Sequence, residues 1–371
     1  MKRLSLVACL LTAFGFAAPA AALDTALADF AAHFEPRLGT VSFANGEVAG
    51  CGEALHLESD ALVAPATGPL VLDHGTPTED VVVLFHGLSD SPFFLCAVAR
   101  ALHADGANVV LPLLTGHGLK EPLPDAHAPE LGSRWQEDAR AALAFALTRG
   151  ERVSVGGFST GGTLAVWLWT QAPERIEGGV VLFSAALDFA RRLKLAAGCA
   201  GTPEERAASG FRRWCHGRLV AFTRRGERDA AWRWANPYRQ RLSDYGALEL
   251  GILRRATRSA LATTPLTAPL FIAHSVDDGL APIVGVDRLA ADHAEPDAVV
   301  RFTIDDTRRA NCRALQSDCV TAAPARTACG VSHASVVLAT PIRREDAVCE
   351  PANPRFEAML AAVRGFMASL P

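Results

Sequence analysis

A strand-like run ending in Gly157-Phe158-Ser159-Thr160-Gly161 and opening into an apolar helix constrains this chain more than any other stretch. The residues over 152–156 read as a buried strand, and Gly162-Thr163-Leu164-Ala165-Val166-Trp167-Leu168-Trp169 as a helix that is apolar on every side. Only a very tight turn joins two such elements directly, and glycines remove the Cβ atoms that would collide with backbone crowding it. A serine at the apex is then held in a strained, exposed conformation, the arrangement of a nucleophile elbow. Ser159 is therefore the candidate nucleophile.

The flanking pattern supplies a sheet for that elbow. Early strands are expected over 40–48 and 70–72, and Val81-Val82-Val83-Leu84-Phe85 is a continuous run of β-formers, as in a strand buried on both faces. A helix over 93–104, a strand over 108–111, a helix over 133–148, the strand over 152–156, the helix over 160–171 and a strand over 179–183 follow. Such alternation means a mostly parallel α/β sheet flanked by helices.

The alternation breaks over 187–264, where Arg191-Arg192, Arg212-Arg213, Arg224-Arg225 and Arg254-Arg255 stand among Phe211, Trp214, Phe222, Trp232, Trp234 and Tyr238. This stretch reads as an inserted helical cap. The sheet resumes with a strand over 269–273, a helix over 282–292 and a strand over 298–303. A polar, cysteine-bearing loop over 305–330 precedes a last helix over 354–370.

With 371 residues, 50% of them hydrophobic, and a formal net charge of −4, the chain can bury a large core but has no basic field for nucleic acid. Met1-Lys2-Arg3, an apolar run over 4–18 and Ala20-Ala21-Ala22 have the form of a signal peptide over 1–22, too short for a membrane span, which leaves 23–371 as an exported, periplasmic or secreted protein. Leu6-Val7-Ala8-Cys9 looks like a lipoprotein box, but cleavage there would leave too short an apolar region.

Removal of Cys9 leaves an even cysteine set, which in an exported chain reads as disulfides. Local pairing is expected: Cys51 with Cys96, Cys199 with Cys215, Cys312 with Cys319, and Cys329 with Cys349. No CxxC pair or HExxH helix occurs, so neither a metal nor another cofactor is expected.

A serine hydroxyl attacks at neutral pH only when a base is held against it and a third group orients that base. Along a chain with this elbow the acid follows the nucleophile and the base follows the acid. Of 11 histidines, only His293 and His333 lie beyond the best acid candidates. His293, at the end of a predicted helix, has the setting of an exposed helical histidine, whereas His333 lies on a loop after the last strand and is expected to be the base. Asp277 and Asp278 both follow the strand over 269–273, at the sheet edge where such folds place ligands. Asp277 is expected to be the acid, with Asp278 left to the turn and to the start of the helix. Asp278 is the alternative, and Asp305 or Asp306 are further candidates. For the oxyanion, Thr160 N–H lies at the start of a helix, and Leu88 N–H, after His86-Gly87, is the expected second donor.

His86-Gly87-Leu88, Gly116-His117-Gly118, Trp135 ahead of Asp138, the Ser159 elbow, Asp277 before Pro282, and His333 together resemble the α/β-hydrolase superfamily. More narrowly they are similar to its monoglyceride lipase and carboxylesterase branch, also called the serine aminopeptidase S33 group, over roughly 81–370. The resemblance implies the α/β-hydrolase fold with a cap, Ser159 as nucleophile, Asp277 as acid, His333 as base, and Leu88 with Thr160 as oxyanion donors. It implies cleavage of small-molecule or lipid carboxylic esters, of carboxylesterase, monoacylglycerol lipase or lysophospholipase type, with transient contact to a membrane surface. An aromatic cap suits acyl chains. A proline-iminopeptidase-like aminopeptidase is the enzymatic alternative, and a binding protein on a hydrolase fold the non-enzymatic one. The arginine-rich cap and the insert bearing Cys312 and Cys319 depart from the family pattern.

Overall fold

Val81 through Phe85 are all buried, because helices cover both faces of the strand they form. The structure is a computed structural model that describes residues 20–227, 238–240, 243–305, 313–315, 326–328, 331, 333–344 and 347–371. Its strands are β1 (Ser42–Val48), β2 (Gly52–Glu58), β3 (Leu70–Leu72), β4 (Thr78–Phe85), β5 (Asn108–Leu111), β6 (Gly150–Phe158), β7 (Val180–Phe183), β8 (Leu270–Ser275) and β9 (Val299–Ile304). These form one sheet in the order β1-β2-β3-β5-β4-β6-β7-β8-β9. From β5 to β9 all pairs are parallel, while β1, β2 and β3 join antiparallel at one edge. Strand β2 escaped the sequence reading because Gly52-Glu53-Ala54-Leu55-His56-Leu57-Glu58 has no apolar run; pairing with β1 through a turn with left-handed Gly50 and Gly52 makes it a strand.

The helices are α1 (Ala20–Ala32), α2 (Glu35–Leu38), α3 (Cys96–Ala104), α4 (Leu123–Ala126), α5 (Leu131–Ala146), α6 (Thr160–Gln171), α7 (Arg191–Ala200), α8 (Pro203–Ala208), α9 (Gly210–Glu227), α10 (Asp244–Thr263), α11 (Val284–Ala291) and α12 (Phe356–Ala368). One face of the sheet carries α5 and α6, with a core built around Trp135, Leu164 and Val166; the other carries α3 and α12, around Phe94, Val98 and Met359. The bond after Ala22, where cleavage is expected, lies in the first turn of α1. Among the described residues no helix is long and apolar enough to cross a membrane.

Between β7 and β8 the chain runs through α7, α8, α9 and α10, and α10 packs back onto α5 and α6. Two of the expected disulfides are formed: Cys51–Cys96 ties the β1–β2 turn to α3, and Cys199–Cys215 ties α7 to α9. The other two expected pairs rest on Cys312, Cys319 and Cys329, outside the described residues. Two short ladders complete the chain. The first pairs β10 (Arg313–Leu315) with β11 (Arg326–Ala328), inside the stretch expected to be loop, and the second pairs β12 (Ile342–Arg344) with β13 (Ala347–Glu350).

Two expectations change here, on the cap aromatics and on His293. Phe211, Trp214 and Phe222 are 65%, 62% and 78% exposed on α9, so these aromatics face solvent instead of roofing a site; Trp232 and Trp234 lie outside the described residues. Several arginines of this region are engaged internally: Arg254 with Leu187 O and Asp188, Arg255 and Arg212 with Glu205, and Arg206 with Glu130. The hydrogen-bonded fork of Arg255 draws the Glu205 carboxyl down to about 2, against a partial opposing effect of burial. His293 is buried, with Nε2 donating to Ala268 O (2.9 Å) and Nδ1 accepting from Glu295 N–H (3.0 Å), so it is a packing histidine.

Candidate active site

The turn between β6 and α6 puts Ser159 at φ 56° and ψ −114°, a conformation that a side-chain-bearing residue adopts only under constraint. The constraint is hydrogen bonding. Ser159 N–H donates to Phe183 O on β7 (3.0 Å), and Ser159 O accepts from Thr163 N–H (3.2 Å) and Ala186 N–H (2.9 Å). A Cβ on Gly161 would sit 1.9 Å from Phe85 O, and one on Gly157 2.5 Å from the same oxygen. Only glycine lets β4 pass this close.

His333 begins the short helical turn Ala334–Val337, and its ring reaches back to the elbow beside Phe158 (4.9 Å between centroids). Ser159 Oγ–H donates to His333 Nε2 (2.7 Å), and His333 Nδ1–H donates to Asp278 Oδ2 (2.6 Å). A carboxylate can only accept, so Asp278 selects the tautomer with the proton on Nδ1 and leaves Nε2 free to take the serine proton. Burial raises the Asp278 carboxyl, but the hydrogen bond and charge of His333, with Ala281 N–H, outweigh it and hold the group below the usual carboxylate range.

The carboxylate on His333 is thus Asp278 and not Asp277. Asp277 is exposed in the turn after β8, and its N–H donates to Ser275 Oγ (3.2 Å). The expectation treated turn-capping and imidazole-binding as exclusive roles, yet a carboxylate has two oxygens. Asp278 Oδ1 accepts from Leu280 N–H and Ala281 N–H, both at 2.9 Å, while Oδ2 takes the histidine. Of the further acid candidates, Asp305 ends the described stretch after β9, and Asp306 lies outside the described residues.

Thr160 is the first residue of α6, so its N–H lies at the positive end of that helix. Leu88 is on the loop leaving β4, where a Cβ on Gly87 would meet Asp90 Oδ2 at 2.5 Å and the Phe158 ring at 2.8 Å. The next residue, Ser89, is left-handed at φ 70°. Two buried histidines shape this loop. His86 Nδ1 donates to Gly87 O (2.9 Å) and Nε2 accepts from Leu114 N–H (3.1 Å); His117 Nε2 accepts from Ser89 N–H (3.1 Å) while Nδ1 donates to Thr115 O (3.0 Å). Burial, reinforced by the neighbouring imidazole of His117, pushes His86 well below its ordinary value; burial takes His117 down to about 4. Both stay neutral, as their acceptor roles require.

Trp135 and Asp138 form the layer beneath. Trp135 Nε1 donates to Thr115 O (2.8 Å), and Asp138 Oδ2 accepts from Thr115 N–H (2.7 Å) and Oγ–H (2.8 Å). Asp138 Oδ1 faces His33 Nε2 (2.8 Å) and Arg37 (3.2 Å), so the turn after α1 and helix α2 anchor the loop that carries His117. The contacts of His33 and Arg37 have no local signature in the sequence.

The family described as serine aminopeptidase, S33 (Hydrolase_4), matches residues 76–302. No curated protein matches the chain. Among solved structures, a structure of the metagenome-derived lipolytic enzymes LipS and LipT is 17% identical, with 82% of this chain and 98% of that one covered and a TM-score of 0.52. Monoacylglycerol lipase of Paleococcus ferrophilus is 15% identical over 82% and 98% of the two chains, with a TM-score of 0.49. Est1E of Butyrivibrio proteoclasticus is 11% identical over 88% and 98%, with a TM-score of 0.47. The first of these likenesses establishes a shared α/β-hydrolase fold.

Proposed function

The chain belongs to the serine aminopeptidase S33 family of the α/β-hydrolase superfamily, and we propose that it is an exported serine hydrolase that cleaves carboxylic esters through an acyl-enzyme. The observation that carries this reading is the continuous relay from Ser159 Oγ through His333 to Asp278, with links of 2.7 and 2.6 Å.

Each residue then has one role. Ser159 Oγ attacks the ester carbonyl carbon as its proton passes to His333 Nε2, and Asp278 stabilises the imidazolium that forms. Negative charge on the former carbonyl oxygen is met by Thr160 N–H and Leu88 N–H; one such donor is worth about 10²–10³ in kcat. His333 next protonates the leaving alkoxide. Water, deprotonated by the same imidazole, attacks the acyl-serine and restores the enzyme.

Esters are favoured over peptides because an aminopeptidase needs a free carboxylate for the substrate ammonium. Asp90, on the Leu88 loop, and Glu350, in the hairpin after His333, are both bound to Arg239. Arginine pairs in a cap would suit a carboxylate or phosphate substrate, but Arg254, Arg255 and Arg206 are paired internally, so neutral esters of carboxylesterase or monoacylglycerol lipase type fit better than lysophospholipids. The described disulfides suit an oxidising compartment, which supports export after cleavage near Ala22. The segment from α7 to α10 serves as the cap.

Fluorophosphonate labelling of the wild type and of Ser159→Ala, with a chain-length series of p-nitrophenyl esters beside aminoacyl amides, tests the proposal. Labelling lost in the variant and turnover confined to esters are expected. A folded wild type that does not label would overturn serine catalysis, and turnover of aminoacyl amides alone would establish the peptidase.

A further inference from the structure

Tyr238, Arg239 and Gln240 lie between α9 and α10 in the chain, far from the catalytic motifs in sequence, yet all three grip the loop that carries Leu88. Gln240 N–H donates to Ser89 O (2.8 Å), and its Nε2 donates to Gly116 O (2.5 Å) on the loop that carries His117. Ser91 Oγ–H donates to Tyr238 O (2.8 Å), and the Tyr238 ring stacks on Phe93 with centroids 3.7 Å apart.

Arg239 goes deeper. Its Nε donates to Asp90 Oδ1 (2.6 Å), its NH1 donates to Glu350 Oε2 (2.8 Å), and the guanidinium lies over the Phe94 ring, 5.0 Å from the centroid. The Asp90 side chain is 2% exposed and that of Arg239 10%. Burial alone would lower the guanidinium pKa, but the charges of Asp90 and Glu350 outweigh it and raise it, so this group stays charged.

The two carboxylates belong to the two segments that must meet at Ser159. Asp90 Oδ2 is the atom a Cβ on Gly87 would strike, and Asp90 N–H donates to Gly87 O (3.2 Å), so this side chain is folded against the peptide next to Leu88. Glu350 ends β13, in the hairpin that follows His333. A planar fork with donors in fixed directions suits such a bridge; a lysine ammonium would hold both partners less rigidly.

We infer that Arg239 is a positioning residue: carried by the cap segment, it holds the Leu88 loop through Asp90 and the His333 segment through Glu350, so that oxyanion donor and base face Ser159 together. The inference rests on the ester-hydrolase reading. Seating of the cap and assembly of the site are then one event, because the residue that bridges the two site segments comes with the cap.

The test compares wild type, Arg239→Lys, Arg239→Ala and Glu350→Gln for kcat and KM on p-nitrophenyl butyrate, for thermal midpoint, and for rescue by guanidinium at concentrations well below denaturing. Arg239→Ala is expected to lower kcat about 10²-fold, the worth of an oxyanion donor, with KM changed less than about 3-fold. Arg239→Lys should fall between it and wild type, and guanidinium should restore part of the Arg239→Ala rate but none of the Ser159→Ala rate. Folded Arg239→Ala with kcat within about 2-fold of wild type, or a loss that follows the thermal midpoint without rescue, would overturn the inference. If Arg239→Ala does not fold, Arg239→Lys and Glu350→Gln decide: lowered kcat at unchanged KM supports positioning, and wild-type kcat in both refutes it. An inert wild type would overturn the ester reading and this inference together, whereas an active wild type with indifferent variants would overturn this inference alone.

Discussion

The turn after β6 and the turn after β8 lie two strands apart on one edge of the sheet, and different forces specify them. At the first, backbone excludes side chains: Gly157 and Gly161 pass within van der Waals distance of Phe85 O, and no other residue fits. At the second, Asp277 and Asp278 have the same chemistry, and only the direction in which the chain leaves β8 decides which one is buried. Exclusion by backbone leaves a mark in the residue types. Selection between like side chains leaves none.

The sharpest way to break this comparison is at the serine itself. Ser159→Ala should lower kcat by about 10⁵–10⁶ without loss of fold, since it removes the nucleophile and nothing structural. A residual rate within 10²-fold of wild type, on protein free of contaminating esterase, would remove Ser159 from the chemistry. Next in size, Asp278→Asn should cost about 10⁴ in kcat by disfavouring the tautomer the base needs, while Asp277→Asn, changed on an exposed turn, should stay within about 2-fold. Equal losses in the two variants would mean that the turn after β8 rearranges in solution.

Gly161→Ala tests the backbone rule by stability. The added Cβ would sit 1.9 Å from Phe85 O, which predicts destabilisation of about 3–5 kcal/mol by denaturant titration. A loss under about 1 kcal/mol would show that β4 and the elbow can separate cheaply.

The smallest effect concerns pH. His117, ordinarily near 6.5, is lowered to about 4 by burial, partly opposed by its hydrogen bonds to Thr115 and Leu114 and by the charges of Asp125 and Asp138. As pH falls below 6.5 the unfolded chain binds a proton here that the folded chain refuses until about 4. The contribution of neutral His117 is therefore full above pH 6.5 and is lost as pH falls towards 4. His117→Gln, whose amide oxygen can still accept from Ser89 N–H, should flatten stability against pH across that window and cost about 1 kcal/mol at pH 7. Parallel curves for the two proteins would show that another group controls this range.

The parallel strands were readable because a strand buried on both faces must be continuously apolar, and the helices because they alternate with it. The strand β2 was not, since its polar residues become a strand only by pairing with β1. His333 could be singled out by chain order, as the rule that base follows acid leaves only two histidines. His293 differs for the opposite reason: its Nε2 donates to Ala268 O, 25 residues away, and that contact holds the ring inside although Asp292 and Glu295 beside it are polar. Phe211, Trp214 and Phe222 show the same limit, because residue type cannot tell the inner face of a cap helix from its outer one.

By itself the sequence determined the parallel strands, the elbow and the serine at its apex, because these depend on local periodicity and on the small set of residues that tolerate a crowded backbone. Only the tertiary structure decided that Asp278 faces His333, that Asp138 holds Thr115 on the loop of His117, and that Arg239 joins Asp90 to Glu350. Those choices depend on where groups from 23 to 149 residues apart come to point, and hydrogen-bond direction between separate segments exists only once the chain is packed.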